Sequence, residues 1–251
     1  MSKVIAEWTK PDYGVDAPKV MRNFFIIGGL LLLLAIFFPD KLHVGPAELQ
    51  LRGMFWWFGG IVTAEGFLFL LYVKLGKFRH RDFMLSLHTW GGDEQVLDVG
   101  CGRGLLLAGV AKKLAVLDGS GHATGIDIWS NEDMGGNSEQ ATLRNLELEG
   151  ITARCTLVSA GAQAMPFEDK SFDVIVSNLC IHNIYDKPTR KKALQEIARV
   201  LKHGGVALIS DYKHVAEYMW EFKECGLDVE SRGGSLLTTF PPLRVVIARK
   251  P

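Results

Sequence analysis

The apolar positions fall into two regimes along the chain. From Asn23 to Phe38 no residue is charged, and Gly28-Gly29 is followed by five leucines, Leu30 to Leu34. Carried back to Val20, the segment would reach roughly 28 Å as a helix, close to a hydrocarbon core of about 30 Å, with Arg22 snorkelling to the headgroups. Pro39-Asp40 ends it. Met54 to Val73 is a second such run, with Glu65 as its single charge and Trp56, Trp57 and Tyr72 near its ends, where aromatic belts form. After about Gly91, short apolar runs alternate with helical patterns. Strands are predicted at Gln95–Val99, Ala123–Ile128, Cys155–Val158, Phe172–Ser177 and Val206–Ser210. Helices are predicted at Leu105–Leu117, Gln140–Glu149 and Thr189–Leu201, and a closing strand pair at Val229–Ser231 and Val245–Ala248. Such alternation predicts an α/β fold, a doubly wound, mostly parallel seven-stranded sheet with helices on both faces.

The apolar runs predict two transmembrane helices, about 20–38 and 54–73, ahead of that sheet. Secretion is disfavoured, because the first run is longer than a signal's apolar region and Phe38-Pro39 is no small-residue cleavage site. Buried helices of a soluble domain, or a hairpin lying in one leaflet, are the alternatives. Lys3, Lys10, Lys19 and Arg22 precede the first run, only Lys41 and Arg52 lie between the runs, and Lys74, Lys77, Arg79 and Arg81 follow. The bias places both ends on the cytoplasmic side, with Lys74 to Arg81 against anionic headgroups. The expected organisation is a cytoplasmic segment 1–19, a membrane anchor 20–75 and a cytoplasmic domain 76–251.

Composition narrows the function. Lys+Arg and Asp+Glu are 28 each in 251 residues, so the basic excess of a nucleic-acid binder is lacking. Cys101, Cys155, Cys180 and Cys225 have no metal-ligand spacing and read as reduced thiols; no metal site is expected.

In an open sheet the ligand lies beyond the carboxyl ends of the strands. After the first predicted strand comes Asp98-Val-Gly-Cys-Gly-Arg-Gly104, and after the second Gly125-Ile-Asp127. Glycines permit a tight turn and close approach of a ligand at a helix N-terminus, and an acid at Asp127 suits ribose hydroxyls. A dinucleotide fingerprint would place its third glycine at position 105, where Leu stands. An acid at Asp98 repels a pyrophosphate and suits a cationic nucleoside.

Val96-Leu-Asp-Val-Gly-Cys-Gly-Arg-Gly104 resembles the first motif of class I S-adenosylmethionine-dependent methyltransferases. Gly125-Ile-Asp127, Met165-Pro-Phe-Glu-Asp-Lys-Ser-Phe-Asp173 and Leu201-Lys-His-Gly-Gly205 resemble later motifs of that family, in order. The resemblance covers roughly residues 91–215 and implies a Rossmann-like fold with S-adenosyl-L-methionine as cofactor. It implies that Gly100, Cys101, Gly102 and Gly104 form the turn around the methionine and ribose parts. Asp98 is then near the amino group, Asp127 on the ribose, and Ile128 or Trp129 against adenine. Gly161 stands where the family often has an acid for the adenine amino group; backbone at Gly161 and Ala162, or the Gln163 side chain, would serve instead.

Methyl transfer is an in-line displacement that rests on positioning and water exclusion, with a base only where the acceptor must lose a proton. The segment after the fourth strand, Ser177 to Asp186, holds the candidates. His182 is the base candidate, Tyr185 and Asn183 would orient the acceptor, and Asn178 would touch cofactor or acceptor. Tyr212 and His214 are weaker candidates, and Cys101 and Cys180 read as packing. Glu65 falls mid-span, where a carboxylate is costly; contact between helices is the favoured reading, contact with an acceptor headgroup the other. Gly28-Gly29 and Gly59-Gly60 would allow close helix approach. Trp8 to Val20 would lie along the membrane or cover the cofactor, and Leu236 to Leu243 would line an acceptor pocket.

The expected function is a membrane-anchored methyltransferase whose partners are the bilayer and a lipophilic small-molecule acceptor such as a quinone, isoprenoid, sterol or other lipid. A small thiol or other membrane-permeant acceptor is the second expectation. A non-catalytic cofactor-binding membrane module is the third.

Overall fold

The computed structural model describes residues 10–131, 134–233 and 239–251. Lys3, Trp8, Leu236 and Leu237, singled out above, lie outside them. Helix α1 spans Pro18–Phe37, with a proline in its first turn, and stops where Phe38 turns extended before Pro39. A short antiparallel pair, β1 (Leu42–Val44) and β2 (Ala47–Leu49), leads to α2, Leu51–Leu71. Arg52 closes this connection, donating from Nε to the Phe38 carbonyl at 3.0 Å and pairing with Asp40 at 2.7 Å.

The two apolar helices pack side by side. Gly28 lies against Thr63 and Gly59 against Leu32, whereas Gly29 and Gly60 face open space. Their outward faces are exposed: Ile26, Ile27, Leu30, Leu33 and Ile36 on α1, and Trp56, Trp57, Phe58, Ile61, Phe67 and Leu68 on α2. Both are long and apolar enough to cross a membrane. The second does not stop at Val73. It continues through a π-helical turn, Tyr72–Gly76, into α3, Lys77–Ser86, so the expected boundary at 75–76 falls inside one continuous helical run. Lys77, His80, Met84 and Leu85 are buried there, which gives the run packing partners well past the apolar segment.

The sheet holds β3 (Gln95–Val99), β4 (His122–Asp127), β5 (Cys155–Ser159), β6 (Phe172–Asn178), β7 (Leu201–Asp211), β8 (Asp228–Gly233) and β9 (Arg244–Arg249). Their spatial order is β5-β4-β3-β6-β7-β9-β8. The first five are mutually parallel, and β9 and β8 close the edge antiparallel. Helices α4 (Leu105–Val116), α5 (Glu139–Leu148), α6 (Lys187–Val200) and α7 (Val215–Glu224) cover it. One face buries Met84, Leu85, Leu107, Val110, Leu114 and Leu146; the other buries Leu194, Ile197, Tyr218 and Phe222. Side-chain caps fix two helix starts: Ser138 accepts from the Ala141 N–H at 3.2 Å and Asp186 from the Thr189 N–H at 2.9 Å.

The strand predicted at Val206–Ser210 begins earlier, at Leu201, and takes in the motif Leu201 to Gly205 as the start of β7, because a register irregularity lets Leu201 pair with Phe172 and Val206 with Val174. The strand order reverses across β3 and β6, and the crevice beyond their carboxyl ends is the expected ligand position.

Candidate active site

The turn after β3 is clamped to the end of β4. Gly100 and Cys101 donate their N–H groups to the Ile126 carbonyl at 2.8 and 3.0 Å. Gly102 N–H donates to Asp127 Oδ2 at 2.8 Å, and Asp127 Oδ1 accepts from Trp129 N–H at 2.6 Å and Asn137 Nδ2 at 3.2 Å. Helix α5 holds the turn from behind: Thr142 Oγ1 donates to the Gly102 carbonyl at 2.6 Å and Asn145 Nδ2 to the Arg103 carbonyl at 2.8 Å.

Gly100 has φ +72°, and a Cβ there would lie 2.1 Å from Cys180 Sγ. Gly100→Ala combines left-handed strain with overpacking, about 1–3 kcal/mol for the latter alone. It is expected to lower the melting temperature and to displace the turn, weakening ligand binding at least tenfold. Thermal denaturation with and without ligand checks both.

Beyond the turn lies a cavity of about 660 Å³. Gly100, Gly102, Asp127, Ile128, Gly161, Ala162 and Asn178 line it from one side, and His182, Asn183, Tyr185 and Tyr212 from another. Gln163 also lines it, and its amide folds back over Gly161, where a Cβ would come within 2.6–2.7 Å of the amide oxygen and nitrogen. A further wall comes from Asp16, Ala17, Lys19, Val20 and Phe24 at and just before the start of α1, from Glu65, Phe69 and Tyr72 of α2 and its extension, and from Phe240-Pro241. The apolar helices therefore build the same cavity as the glycine turn.

Not every expected residue lies on that wall. Asp98 and Cys101 line a smaller adjoining cavity of about 60 Å³, with Asp16, Tyr72 and Lys77. Gly104 lines neither; with φ +83° it caps α4 beneath Thr142. Ile128 and Tyr185 sit at the rim, 70% and 83% exposed. His214 turns away, its Nδ1 3.7 Å from Glu217.

Asp98 is fully buried and its Oδ2 has no hydrogen-bond partner. Burial, with the nearby Asp127 charge, pushes its carboxyl up to about 8. Burial also raises the Cys101 and Cys180 thiols, which keeps them protonated and unreactive.

Around His182 the chain supplies a second arrangement. His182 Nδ1 lies 2.8 Å from Oδ1 of Asp211, at the end of β7. Asp211 Oδ2 accepts from the His182 N–H and from the Tyr218 hydroxyl, both at 3.1 Å, and Oδ1 from Tyr212 N–H at 2.8 Å. The Tyr212 ring meets the imidazole edge-on at 4.8 Å. Asp211 was not singled out in the sequence; its position directly after an apolar strand was the available signal.

The segment before α1 covers the glycine turn. Asp12 exchanges two 2.9 Å hydrogen bonds with Asn145 and pairs with Arg103 at 3.0 Å, Tyr13 donates to Glu149 at 2.6 Å, and Asp16 bridges to Met134.

Residues 97–209 match the model of a family described as a methyltransferase domain. Over 128 residues the chain is 36% identical to a sterol 4-C-methyltransferase of Caenorhabditis elegans, covering 51% of this chain and 34% of that protein. Over 119 residues it is 37% identical to a ubiquinone/menaquinone biosynthesis C-methyltransferase of Vibrio campbellii, covering 47% of this chain and 41% of that one. A solved S-adenosylmethionine-dependent methyltransferase from Aquifex aeolicus aligns with a TM-score of 0.52 at 19% identity, over 66% of this chain and 87% of that one. At that identity the likeness is one of fold. The chain spans between 34% and 53% of the lengths of the first curated relatives it matches. These matches imply S-adenosylmethionine as the cofactor.

Proposed function

We propose that this chain is a class I S-adenosylmethionine-dependent methyltransferase, an enzyme that methylates a lipophilic small molecule taken from a membrane. One observation carries the reading: a single cavity of about 660 Å³ joins the glycine turn to an apolar wall built by two helices long enough to span a bilayer. The outward faces of those helices are exposed, as lipid-facing helices require and core helices of a soluble domain do not. The anchor is then part of the acceptor site, not only a tether.

The residues present fit the cofactor. A buried carboxyl whose Oδ2 has no partner, at Asp98, suits a cationic amino group. Gly100 leaves no room for a side chain between the turn and Cys180. Asp127 Oδ2 keeps a lone pair for a ribose hydroxyl beyond the Gly102 N–H it already accepts, and Ile128 with the Gly161–Gln163 stretch would border adenine. Bound there, the cofactor supplies a methyl group already activated on a sulfonium. The chain's own work is positioning, water exclusion and, for an acidic acceptor, holding a proton. The Asp211 carboxylate, 2.8 Å from Nδ1 but outside hydrogen-bond geometry with it, would favour the proton on Nδ1 by its charge and so leave Nε2 as the nitrogen to accept that proton. Asn183 and Tyr185 would orient the acceptor at the mouth.

The test is transfer of label from methyl-labelled S-adenosylmethionine by the full chain, given membranes and cytosol. Label is expected in the lipid extract and absent with Asp127→Ala. Label confined to aqueous or volatile products would favour the small-thiol acceptor. Binding without any transfer would overturn the enzymatic reading.

A further inference from the structure

Resting on that reading, we infer that Glu65 selects the acceptor: the membrane end of the cavity receives the hydroxyl or amine of an amphiphile whose methylated atom lies at the cofactor end. Glu65, Phe69 and Tyr72 stand at positions i, i+4 and i+7 of one helical run and share a face, and all three line the cavity. Val20 and Phe24, at i and i+4 of α1, form the facing wall. Phe240 closes the side, with ring centroids 6.3 Å from Phe24 and 6.4 Å from Phe69. Along the helix, Glu65 is seven residues before Tyr72, roughly 10 Å deeper into the hairpin at 1.5 Å per residue.

The carboxyl has no task within the protein among the described residues. The helix–helix contact is made by Gly28 with Thr63, Gly59 with Leu32 and Gly66 with Phe24 and Phe25. Glu65 makes no hydrogen bond or ion pair with a described residue. The other acids near the cavity differ: Asp127 and Asp211 are each held by several donors, Asp98 lines the smaller adjoining cavity, and Asp16, which lines both, lies near the Lys77 charge. An acid set among aromatic walls at membrane depth is costly unless a donor meets it. A ligand hydroxyl or amine relieves that cost whichever way the carboxyl is protonated, whereas a hydrocarbon tail passing it would leave it unpaired. The site therefore discriminates against wholly apolar ends.

Two readouts test this on the full chain in lipid nanodiscs. Dicyclohexylcarbodiimide, which modifies carboxyls in apolar surroundings, is followed at Glu65 by peptide mass spectrometry. 1-Decanol is expected to slow modification at least tenfold, and decane to leave it unchanged. Equal effects of decanol and decane, or none from decanol, would overturn the proposal. Transfer into membrane lipid extract is measured in parallel. Glu65→Leu is expected to raise the acceptor KM by roughly tenfold or more, the loss of one hydrogen bond to a charged group, with cofactor affinity unchanged. Glu65→Gln, which keeps hydrogen-bonding atoms, is expected to recover most of that loss. An unchanged KM in Glu65→Leu, or an equal loss in Glu65→Gln, would overturn the proposal. Were the wild-type chain to label no lipid, the functional reading would fail, and the protection experiment would still decide the site.

Discussion

Asp98→Asn is expected to stabilise the free protein at neutral pH and to weaken cofactor binding by roughly ten- to a hundredfold, the range for a lost hydrogen bond between charged groups. Both effects have one cause. The Asp98 carboxyl is buried beside Asp127 with Oδ2 unpartnered, and its pKa is raised from 3.8 to about 8. Between those values the folded chain holds a proton that the unfolded chain has released. Folding stability therefore falls as pH rises through this window, by at most about 1.4 kcal/mol per unit, and levels off above about 8. The neutral amide removes that slope, so the variant's advantage should widen from pH 5 to pH 8 in paired thermal melts. Binding runs the other way. A cationic amino group favours the carboxylate, so the wild-type chain should release a proton on binding and bind more tightly as pH rises toward 8. Calorimetry in buffers of different ionisation enthalpy reads the proton directly. The variant should show neither the proton nor the pH dependence. S-adenosylhomocysteine should lose as much affinity as S-adenosylmethionine, because both carry the amino group and only one carries the sulfonium. A larger loss for the sulfonium compound would place Asp98 elsewhere.

The sheet and its ligand end were legible because they rest on short-range rules. Short, nearly continuous apolar runs mark the central strands β3, β6 and β7, and a positive φ at Gly100 or Gly104 is something glycine tolerates and other residues rarely do. The second apolar helix was legible as a run of apolar residues but not as a wall of the site. Which face of α2 meets the domain depends on the π-helical turn at Tyr72–Gly76, and nothing in local propensity announces that change of phase. For the same reason Glu65 read as a contact between helices: its address in the cavity depends on where α1 and Phe240 come to lie, contacts spanning 41 and 175 residues of sequence from Phe24 and Phe240 respectively. Asp211 illustrates a different gap. An acid closing an apolar strand is visible, but its partner His182 lies 29 residues earlier, and only the parallel pairing of β6 with β7 brings them together.

His182→Ala is expected to lower kcat on the order of a hundredfold to ten-thousandfold, the usual range for a lost general base, while cofactor affinity stays unchanged. The nearness of Asp211 carries this expectation. A histidine alone at a cavity mouth is free to choose its tautomer and ring orientation. Here Nδ1 lies 2.8 Å from a fully buried carboxylate, which favours the proton on Nδ1 and leaves Nε2 as acceptor. Asp211→Asn should therefore fall in the same direction as His182→Ala, since an amide can hold the ring but does not compensate an imidazolium charge. It should also cost stability, because Asp211 additionally receives the Tyr218 hydroxyl and two backbone N–H groups. The two variants are therefore compared by kcat at saturating cofactor, with binding and melting measured separately. If proton removal limits the rate, the double variant should be little worse than His182→Ala alone, because the carboxylate acts through the ring. Additive losses would instead mean that Asp211 shapes the site by packing. Full activity in His182→Ala would mean that the acceptor reaches the cavity already ionised or needs to lose no proton, and that positioning alone carries the reaction.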